Sequence, residues 1–162
     1  MLKKLTLLGF ACVLSTSLLA QNPAIIPAPS QASFSKGFYT FGNSLILAGP
    51  KSPELATSYA ILTNKLTQIA GKKVQWIYDQ GTTASLAMIR FTLNATPDAA
   101  LGNEGYSLVS DAKGIQIRAN KPVGVFYGIQ TLIQLLPKEI ESKQAVKGIA
   151  WKVPYANIVD KP

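Results

Sequence analysis

The stretch GVFYGIQTLIQLLP, Gly124–Pro137, decides the fold class because it predicts a helix with one strongly apolar side. On a helical wheel, six apolar residues fall within about 120° of one another. They are Val125, Phe126, Ile129, Leu132, Ile133 and Leu136. A stripe of this width predicts a helix packed on a core. Pro137 ends the helix, since proline lacks the backbone N–H that a helix interior needs.

Two glycines, Gly124 and Gly128, lie one turn apart on the flank of this stripe. A glycine inside a helix costs about 1 kcal/mol relative to alanine, so the pair predicts a close approach by the sheet or another helix. The remaining arc is polar or aromatic, and we expect it to meet solvent or a neighbouring domain, with a ligand as the alternative. Its residues are Tyr127, Gln130, Thr131 and Gln134.

A second helix is predicted from Ser52 to Gly71. Ser52 is a suitable N-cap, Pro53 suits the first helical position, and Gly71 closes the helix. Apolar residues recur at steps of four and three, which makes one buried stripe. They are Leu55, Tyr59, Leu62, Leu66 and Ile69.

Short strands are predicted before, between and after the two helices. A first hairpin is predicted to join residues 33–34 to 38–41 through a turn at 35–37, and a second to join 106–109 to 115–119. The other predicted strands are 44–49, 74–79, 86–93 and 145–153. The nearly continuous apolar run at 86–93 predicts a central strand buried on both faces, with Arg90 as its exception. The element order predicts an α+β fold: a mixed, largely antiparallel sheet of about six to seven strands with two helices packed on one face.

Composition limits the available chemistry. The 162 residues include no histidine and one cysteine, which excludes a Ser-His-Asp or Cys-His relay, a zinc site of His and Cys, and an internal disulfide. The formal net charge is +8, but the basic residues are scattered singly along the mature chain apart from Lys72-Lys73. A nucleic-acid binder concentrates such residues on one face or stripe, so we expect no nucleic-acid partner.

Residues 1–20 have the layout of a secretory signal peptide. Lys3 and Lys4 precede an apolar run from about Leu5 to Leu14, and the small residue Ala20 precedes the expected cut. The run is too short for a comfortable membrane span. We therefore expect an exported protein, periplasmic or extracellular, with no stable membrane span. A lipoprotein anchored through Cys12 is the less favoured alternative.

No set of residues in the sequence predicts an assembled active site. The mature acidic residues fall mostly at helix starts, strand ends and turns, where solvated carboxylates are common. They are Glu54, Asp79, Asp98, Glu104, Asp111, Glu139, Glu141 and Asp160. No phosphate loop, dinucleotide fingerprint or calcium loop is present. We assign no catalytic, cofactor-binding or metal-binding residue and expect no cofactor.

Four stretches in order carry a resemblance to a known family. They are IIPAPSQASFSKGFYTF, EGYSLVSDAKGIQIRAN, GVFYGIQTLIQLLP and WKVPYANIVDKP. Together they resemble the N-terminal, non-catalytic α+β domain of the β-N-acetylhexosaminidases, the family 20 glycoside hydrolases. The resemblance covers residues 24–162, and the signal peptide makes the chain similar to bacterial, Bacteroidetes-type members.

The resemblance implies that this domain precedes a (β/α)₈ barrel that does the chemistry. In such enzymes a barrel Glu protonates the leaving oxygen, while an adjacent Asp orients the substrate's acetamido group as nucleophile. This chain has no Asp-Glu dipeptide, so no catalytic residue carries over, and the chain alone is predicted inactive. The expected organisation is the α+β domain at 21–152 and a linker at 153–162 toward a missing barrel.

Two functions are thus open at this point. The first is an accessory domain of an exported β-N-acetylhexosaminidase, truncated before its barrel, which would be its partner. The alternative is a stand-alone exported module that binds glycan or protein without catalysis. Its candidate stacking aromatics are Trp76, Tyr78, Trp151 and Tyr155.

Overall fold

The computed structural model describes residues 23–78 and 87–161, which form one seven-stranded sheet and two α-helices. The elements are β1 Gln31–Thr40, β2 Ser44–Gly49, α1 Pro53–Asn64, β3 Lys73–Tyr78, β4 Ile89–Leu93, β5 Tyr106–Asp111, β6 Gly114–Ala119, α2 Pro122–Leu135 and β7 Lys152–Asp160. A π turn, Lys65–Ile69, continues α1, and a 3-10 turn, Lys138–Glu141, follows α2. The predicted signal peptide and Asp79 lie outside the described residues.

The strand order is β1-β7-β5-β6-β4-β2-β3. The half from β1 to β6 is antiparallel, whereas the half from β6 to β3 is parallel. The predicted α+β class, the mixed sheet and the strand number are confirmed. Fewer of the strand pairs are antiparallel than the two predicted hairpins implied. In the described part of the chain, β5 and β6 are the only paired strands that a tight turn joins.

Both helices lie on one face of the sheet, as predicted. Tyr59 of α1 packs on Phe91 of β4, with ring centroids 5.1 Å apart. Gly128 of α2 lies against Ile117 of β6. Phe91 and Ile117 are register partners in neighbouring strands, so their side chains point to the same side of the sheet. We call this side the covered face.

The first helix forms where the sequence predicts it. The Ser52 hydroxyl accepts a 3.3 Å hydrogen bond from the Glu54 N–H, and Pro53 occupies the first turn. All five residues of the predicted stripe are buried. Burying each such side chain contributes about 1.5–3 kcal/mol before its entropy cost, so packing rather than propensity holds this helix in place.

The predicted close approach at Gly124 and Gly128 is confirmed. A Cβ on Gly124 would meet the Gly105 carbonyl oxygen and would lie 2.8 Å from the Ala119 Cβ. A Cβ on Gly128 would lie 2.5 Å from the Ile117 Cγ2. Real Cβ atoms do not make contacts this short, so both glycines are needed for α2 to lie directly on β5 and β6.

The predicted first hairpin is wrong. Residues 31–40 form one edge strand, β1, which pairs antiparallel with β7. Phe34 pairs with Ala156 and Phe38 with Pro154, so three residues of β1 lie opposite Tyr155 alone. The turn-like Ser35-Lys36-Gly37 therefore forms a bulge. Gly37 adopts φ +127°, and the Tyr155 ring fills the space that a Cβ would need.

The last strand begins later than predicted. It was expected at 145–153 with an extended tail after it, but β7 begins at Lys152 and runs to Asp160. Residues assigned to a linker, 153–160, therefore lie inside the sheet between β1 and β5. Pro154 of β7 pairs with Phe38 next to the β1 bulge, where proline is tolerated.

The prediction that the strand at 86–93 is buried on both faces is also wrong. Ile89 and Phe91 are buried under the helices, whereas Arg90 and Thr92 are only half-buried on the other side of the sheet. Within the described ranges no helix packs on that side, and we call it the open face. From β4 to β7 its residues are Arg90, Thr92, Ser107, Val109, Asp111, Gln116, Arg118, Tyr155, Asn157 and Val159.

Candidate interdomain surface

The side of α2 that points away from the sheet carries no charge. No Asp, Glu, Lys or Arg occurs between Pro122 and Leu135. Val123 is 37 % exposed, and Phe126, Tyr127 and Gln130 are half-buried beside it. The Phe126 and Tyr127 rings meet edge to face, with centroids 5.5 Å apart. A helix side of this kind is unusual for solvent contact, because surface helices normally present charged residues there.

The outward side of α1 continues this uncharged area. Its exposed residues are small or neutral: Ala56, Thr57, Ala60 and Asn64. Charges appear only where the helix begins and ends, at Glu54 and Lys65. The Lys65 Nζ lies 2.7 Å from the Glu141 Oε2, so this cation is directed toward the 3-10 turn. We call the outward sides of α1 and α2 together the outer helix surface.

A groove of about 470 Å³ opens between the first turns of the two helices. It is lined by Glu54, Thr57, Ser58, Lys121, Pro122, Val123 and Phe126. Its floor is apolar, and its two charged residues have opposite signs. The groove gives the outer helix surface a concave part into which an apolar side chain of a neighbouring domain would fit.

The end of β7 lies on the other side of Gly105 from the first turn of α2, which forms one wall of this groove. Gly105 fits between the first turn of α2 and the end of β7: a Cβ on Gly105 would lie 2.7 Å from the Asp160 carbonyl oxygen. Asp160 is held in place, since its Oδ1 accepts hydrogen bonds from the Ser30 N–H at 2.9 Å and from the Ser30 hydroxyl at 3.1 Å. Polypeptide attached after this point would emerge beside the outer helix surface.

The structure separates the four residues of the predicted polar arc. Thr131 is buried, and its hydroxyl bonds to the Tyr106 hydroxyl, so the expectation that it meets solvent or a partner is wrong. Burial raises the pKa of Tyr106, the bond to Thr131 lowers it, and the nearby Asp160 raises it, for a net upward shift. The Tyr106 hydroxyl therefore stays neutral, with the Thr131 hydroxyl as its hydrogen-bond partner in the core.

Gln134 has a structural partner as well. Its Oε1 accepts from the Ile26 N–H at 2.8 Å, and its Nε2 donates to the Ile26 carbonyl at 3.1 Å. This pair of bonds fastens the N-terminal segment across α2. Of the polar arc, Tyr127 and Gln130 are thus the residues left to contact a neighbour.

The four candidate stacking aromatics have different environments. Trp151 is 3 % exposed and belongs to the core. Trp76 packs between Tyr59 and Phe91, and its Nε1–H donates to the Thr63 hydroxyl at 3.0 Å. Tyr155 lies over Gly37 in the β1 bulge. Tyr78 differs from these three, because 55 % of it is exposed while its ring stacks on Trp76.

Glu139 and Glu141 share the 3-10 turn after α2, and the other described acidic residues lie on separate elements and loops. Glu54 begins α1, Asp111 closes the turn between β5 and β6 by accepting from the Lys113 N–H at 2.7 Å, and Glu141 pairs with Lys65. No group of three His, Cys, Asp or Glu residues that would hold a metal ion occurs within residues 23–78 and 87–161. The absence of catalytic and cofactor-binding residues stays a prediction.

Neither α1 nor α2, nor any other helix in the described ranges, has the length and apolar character needed to cross a membrane.

Comparison with known proteins places these observations in a family. The sequence model described as "Glycosyl hydrolase family 20, domain 2" matches residues 22–161. A beta-hexosaminidase of Porphyromonas gingivalis is 33% identical over 138 residues, which are 85% of this chain and 17% of that protein. A lacto-N-biosidase of Bifidobacterium bifidum is 27% identical over 115 residues, 71% of this chain and 10% of that protein.

Solved structures agree with the sequence comparison. An N-acetyl-beta-hexosaminidase of Streptomyces plicatus matches with a TM-score of 0.70 and 31% identity, over 85% of this chain and 26% of that one. The chain therefore spans between about a tenth and about a quarter of the length of these relatives.

Proposed function

Because this chain belongs to glycosyl hydrolase family 20, in which it matches domain 2, we propose that it serves as the accessory domain of an exported β-N-acetylhexosaminidase. In that role it supports a catalytic barrel and contributes no catalytic residue. The whole enzyme would release terminal N-acetylhexosamine from glycans by the substrate-assisted retaining mechanism. The signal-peptide layout of residues 1–20 supports export.

The observation that carries this proposal is the uncharged outer helix surface. It combines an exposed apolar residue, Val123, with small residues of α1 and a groove of about 470 Å³. Contiguous exposed surface of this kind marks contact with another protein surface. The end of β7 lies beside it, so a following barrel would reach it without a long linker.

The relatives support a role that is separate from substrate choice. The matching region occurs in proteins with two different names, a beta-hexosaminidase and a lacto-N-biosidase. A domain shared by enzymes with different names is better suited to holding a barrel than to selecting a sugar. We propose that the glycan specificity of the enzyme lies in the barrel.

Two measurements on the purified chain test the proposal. With 4-nitrophenyl N-acetyl-β-glucosaminide, we expect no hydrolysis above the buffer blank, because the sequence has no adjacent Asp-Glu pair. Turnover that follows the pure protein through successive columns would contradict the proposal.

The second measurement addresses the surface. The uncharged dye Nile red should bind the chain, and Ala60→Glu or Val123→Glu should reduce its fluorescence at least twofold. Val109→Glu is the matched control, because Val109 is also 37 % exposed but lies on the open face. An equal loss in all three variants would contradict a docking role for the outer helix surface.

The stand-alone binding module remains the second candidate, and one observation favours it. Tyr78 presents a half-exposed ring stacked on Trp76, an arrangement that suits contact with a sugar ring. Under this alternative, Tyr78→Ala would abolish binding of chitohexaose to the isolated chain. Under the accessory-domain proposal, no such binding is expected.

A further inference from the structure

Both arginines of the sequence, Arg90 and Arg118, lie on the open face. The other 14 basic residues of the chain are all lysines. Arg90 of β4 pairs with Gln116 of β6, and Thr92 pairs with Arg118. The two arginines are therefore diagonal neighbours on adjacent parallel strands. From the spacing of residues and strands, their Cα atoms lie about 8 Å apart.

A hollow of about 290 Å³ lies on this face at the end of the β5–β6 hairpin. Arg90, Lys113 and Gln116 line it together with Val109 and Asp111. The Asp111 Oδ1 is engaged by the Lys113 backbone N–H at 2.7 Å. The hollow thus presents two cationic side chains, an amide and one carboxylate that is already hydrogen-bonded through Oδ1, and Arg118 extends the positive area along β6.

No acidic side chain neutralises the two arginines within residues 23–78 and 87–161, where the single ion pair joins Lys65 to Glu141. Arginine has a planar fork of N–H donors that matches a carboxylate or sulfate with two parallel hydrogen bonds. Lysine, which the chain uses everywhere else, gives no such fork. The arginine pair therefore indicates recognition of planar or tetrahedral oxyanions rather than general solubility.

The residues of the open face also exclude a common way of binding neutral sugars. Along β4, β6 and β5 none of its residues is aromatic, and Tyr155, which shares the open face with Asn157 on β7, lies over Gly37 in the β1 bulge. No ring of these three strands is therefore available beside the arginines to stack on a pyranose face. What the face supplies is charge, amide groups from Gln116 and Asn157, and the hydroxyls of Thr92 and Ser107. These groups bind a ligand through its oxygens.

We propose that the open face is a binding site for anionic saccharides, which carry sulfate or carboxylate groups, and that Arg90 and Arg118 are its principal ligands. The choice of a saccharide among oxyanion-bearing molecules rests on the proposed function, a domain attached to an exported glycosidase. In that setting the site would hold the enzyme on acidic glycans through the side of the sheet opposite the outer helix surface.

The test is a titration of the purified full chain with a heparin-derived octasaccharide, followed by calorimetry at two salt concentrations. Chitohexaose serves as the neutral saccharide and poly-L-glutamate as the acidic polypeptide. We expect binding of the octasaccharide that weakens with salt, no binding of chitohexaose, and at least tenfold weaker binding of poly-L-glutamate.

The double variant Arg90→Gln/Arg118→Gln should weaken octasaccharide binding at least tenfold. Its matched control, Lys143→Gln/Lys147→Gln, removes the same charge at two exposed residues after the 3-10 turn and should change the Kd less than twofold. Arg90→Lys/Arg118→Lys keeps the charge but removes the forks, and we expect an intermediate loss. Circular dichroism and the Tm identify any variant that fails to fold, and the lysine variant then carries the test.

Several results would overturn the proposal: no octasaccharide binding, equal weakening by the arginine and lysine pairs, or preference for poly-L-glutamate, which would indicate a protein partner. These results leave the proposed function intact, since that depends on hydrolysis and on dye binding at the opposite side of the domain.

Discussion

Leu108 and Val109 are neighbours on β5, yet their side chains enter opposite environments. Leu108 lies under the helices with none of its surface exposed, whereas Val109 lies on the open face and is 37 % exposed. The same alternation holds on β4 and β6, where buried Ile89, Phe91 and Ile117 alternate with Arg90 and Gln116. The two faces of one sheet thus serve different purposes: one makes the core and the other remains available for polar contacts.

The helices, rather than the strands, decide which face of the sheet is apolar. Strand residues alternate with period two, so any strand presents two faces. The two stripes on α1 and α2 must be buried, and they require an apolar partner on one side only. The open face is therefore free to carry Arg90 and Arg118.

The largest expected effect tests the two faces at adjacent residues. Leu108→Ala should lower the free energy of unfolding by about 2–5 kcal/mol, because it removes a fully buried side chain and leaves a cavity. Val109→Ala should lower it by less than about 1 kcal/mol. Urea denaturation of both variants measures the difference. Similar losses at the two positions would mean that the open face is covered in the folded protein.

A smaller effect is expected where α2 touches the covered face most closely. Gly124→Ala should lower the free energy of unfolding by about 1–3 kcal/mol, since its Cβ would collide with the Gly105 carbonyl and Ala119. The helix propensity gained, about 1 kcal/mol, offsets this loss only in part.

The control for that substitution is Gly42→Ala. The nearest atom to a Cβ on Gly42 is the Ser44 carbonyl oxygen at 3.8 Å, an ordinary contact. Thermal unfolding should show a clear fall in Tm for Gly124→Ala and little change for Gly42→Ala. If Gly124→Ala is as stable as the native chain, α2 does not lie as close to the sheet as the structure places it.

The smallest changes in stability are expected from replacing two buried hydroxyls, those of Thr131 in α2 and Ser110 on the covered face. Thr131→Val should lower the free energy of unfolding by about 1–2 kcal/mol, because it leaves the Tyr106 hydroxyl buried without its partner. The Ser110 hydroxyl has no hydrogen-bond partner within the described residues. Ser110→Ala should therefore change stability by less than about 0.5 kcal/mol, toward greater stability. Chemical denaturation at neutral pH measures the free energy of unfolding of both variants. A larger loss of stability for Ser110→Ala than for Thr131→Val would contradict the hydrogen bonding described for the two hydroxyls.

The helices were the most predictable part of the fold. Ser52 and Pro53 begin α1 as expected, and the stripes of both helices are buried with Phe126 as the half-buried exception. These features depend on local geometry: caps, proline and the 3.6-residue period act within a few residues. Gly124 and Gly128 predicted the close approach of α2 to the sheet for a similarly local reason. A glycine inside a helix lowers helix stability, so its presence there indicates a contact that compensates for the loss.

The edge of the sheet was much less predictable. Ser35-Lys36-Gly37 has the composition of a turn, but it becomes a bulge because β7, more than a hundred residues later, pairs on both sides of it. Likewise, residues 154–162 were expected to form an extended tail, but β7 pairs with β1 and β5 as far as Asp160. Pairing between strands that are distant in sequence leaves no local signal. Predictions from residue periodicity and turn composition therefore assign such segments to the wrong element.

The candidate surfaces follow the same division. The polar arc of α2 was predicted from the sequence to meet solvent or a neighbouring domain; the structure leaves Tyr127 and Gln130 on the outer helix surface, whereas Thr131 and Gln134 have structural partners. Those partners, Tyr106 and Ile26, are distant in sequence. Asn120 is a residue that sequence reasoning missed: its side chain bonds to Asn94, Asp98 and Gly102 and so holds the loop before β5.

The α+β class, the two amphipathic helices and the glycines that let α2 lie on the sheet could all be predicted from the sequence, because each depends on the periodicity or backbone chemistry of neighbouring residues. The position of β7 between β1 and β5, and the proximity of Arg90 and Arg118 on one open face, could not be predicted from any local pattern. Those facts arise from strand register, which is chosen by the packing of the whole core and not by any one segment.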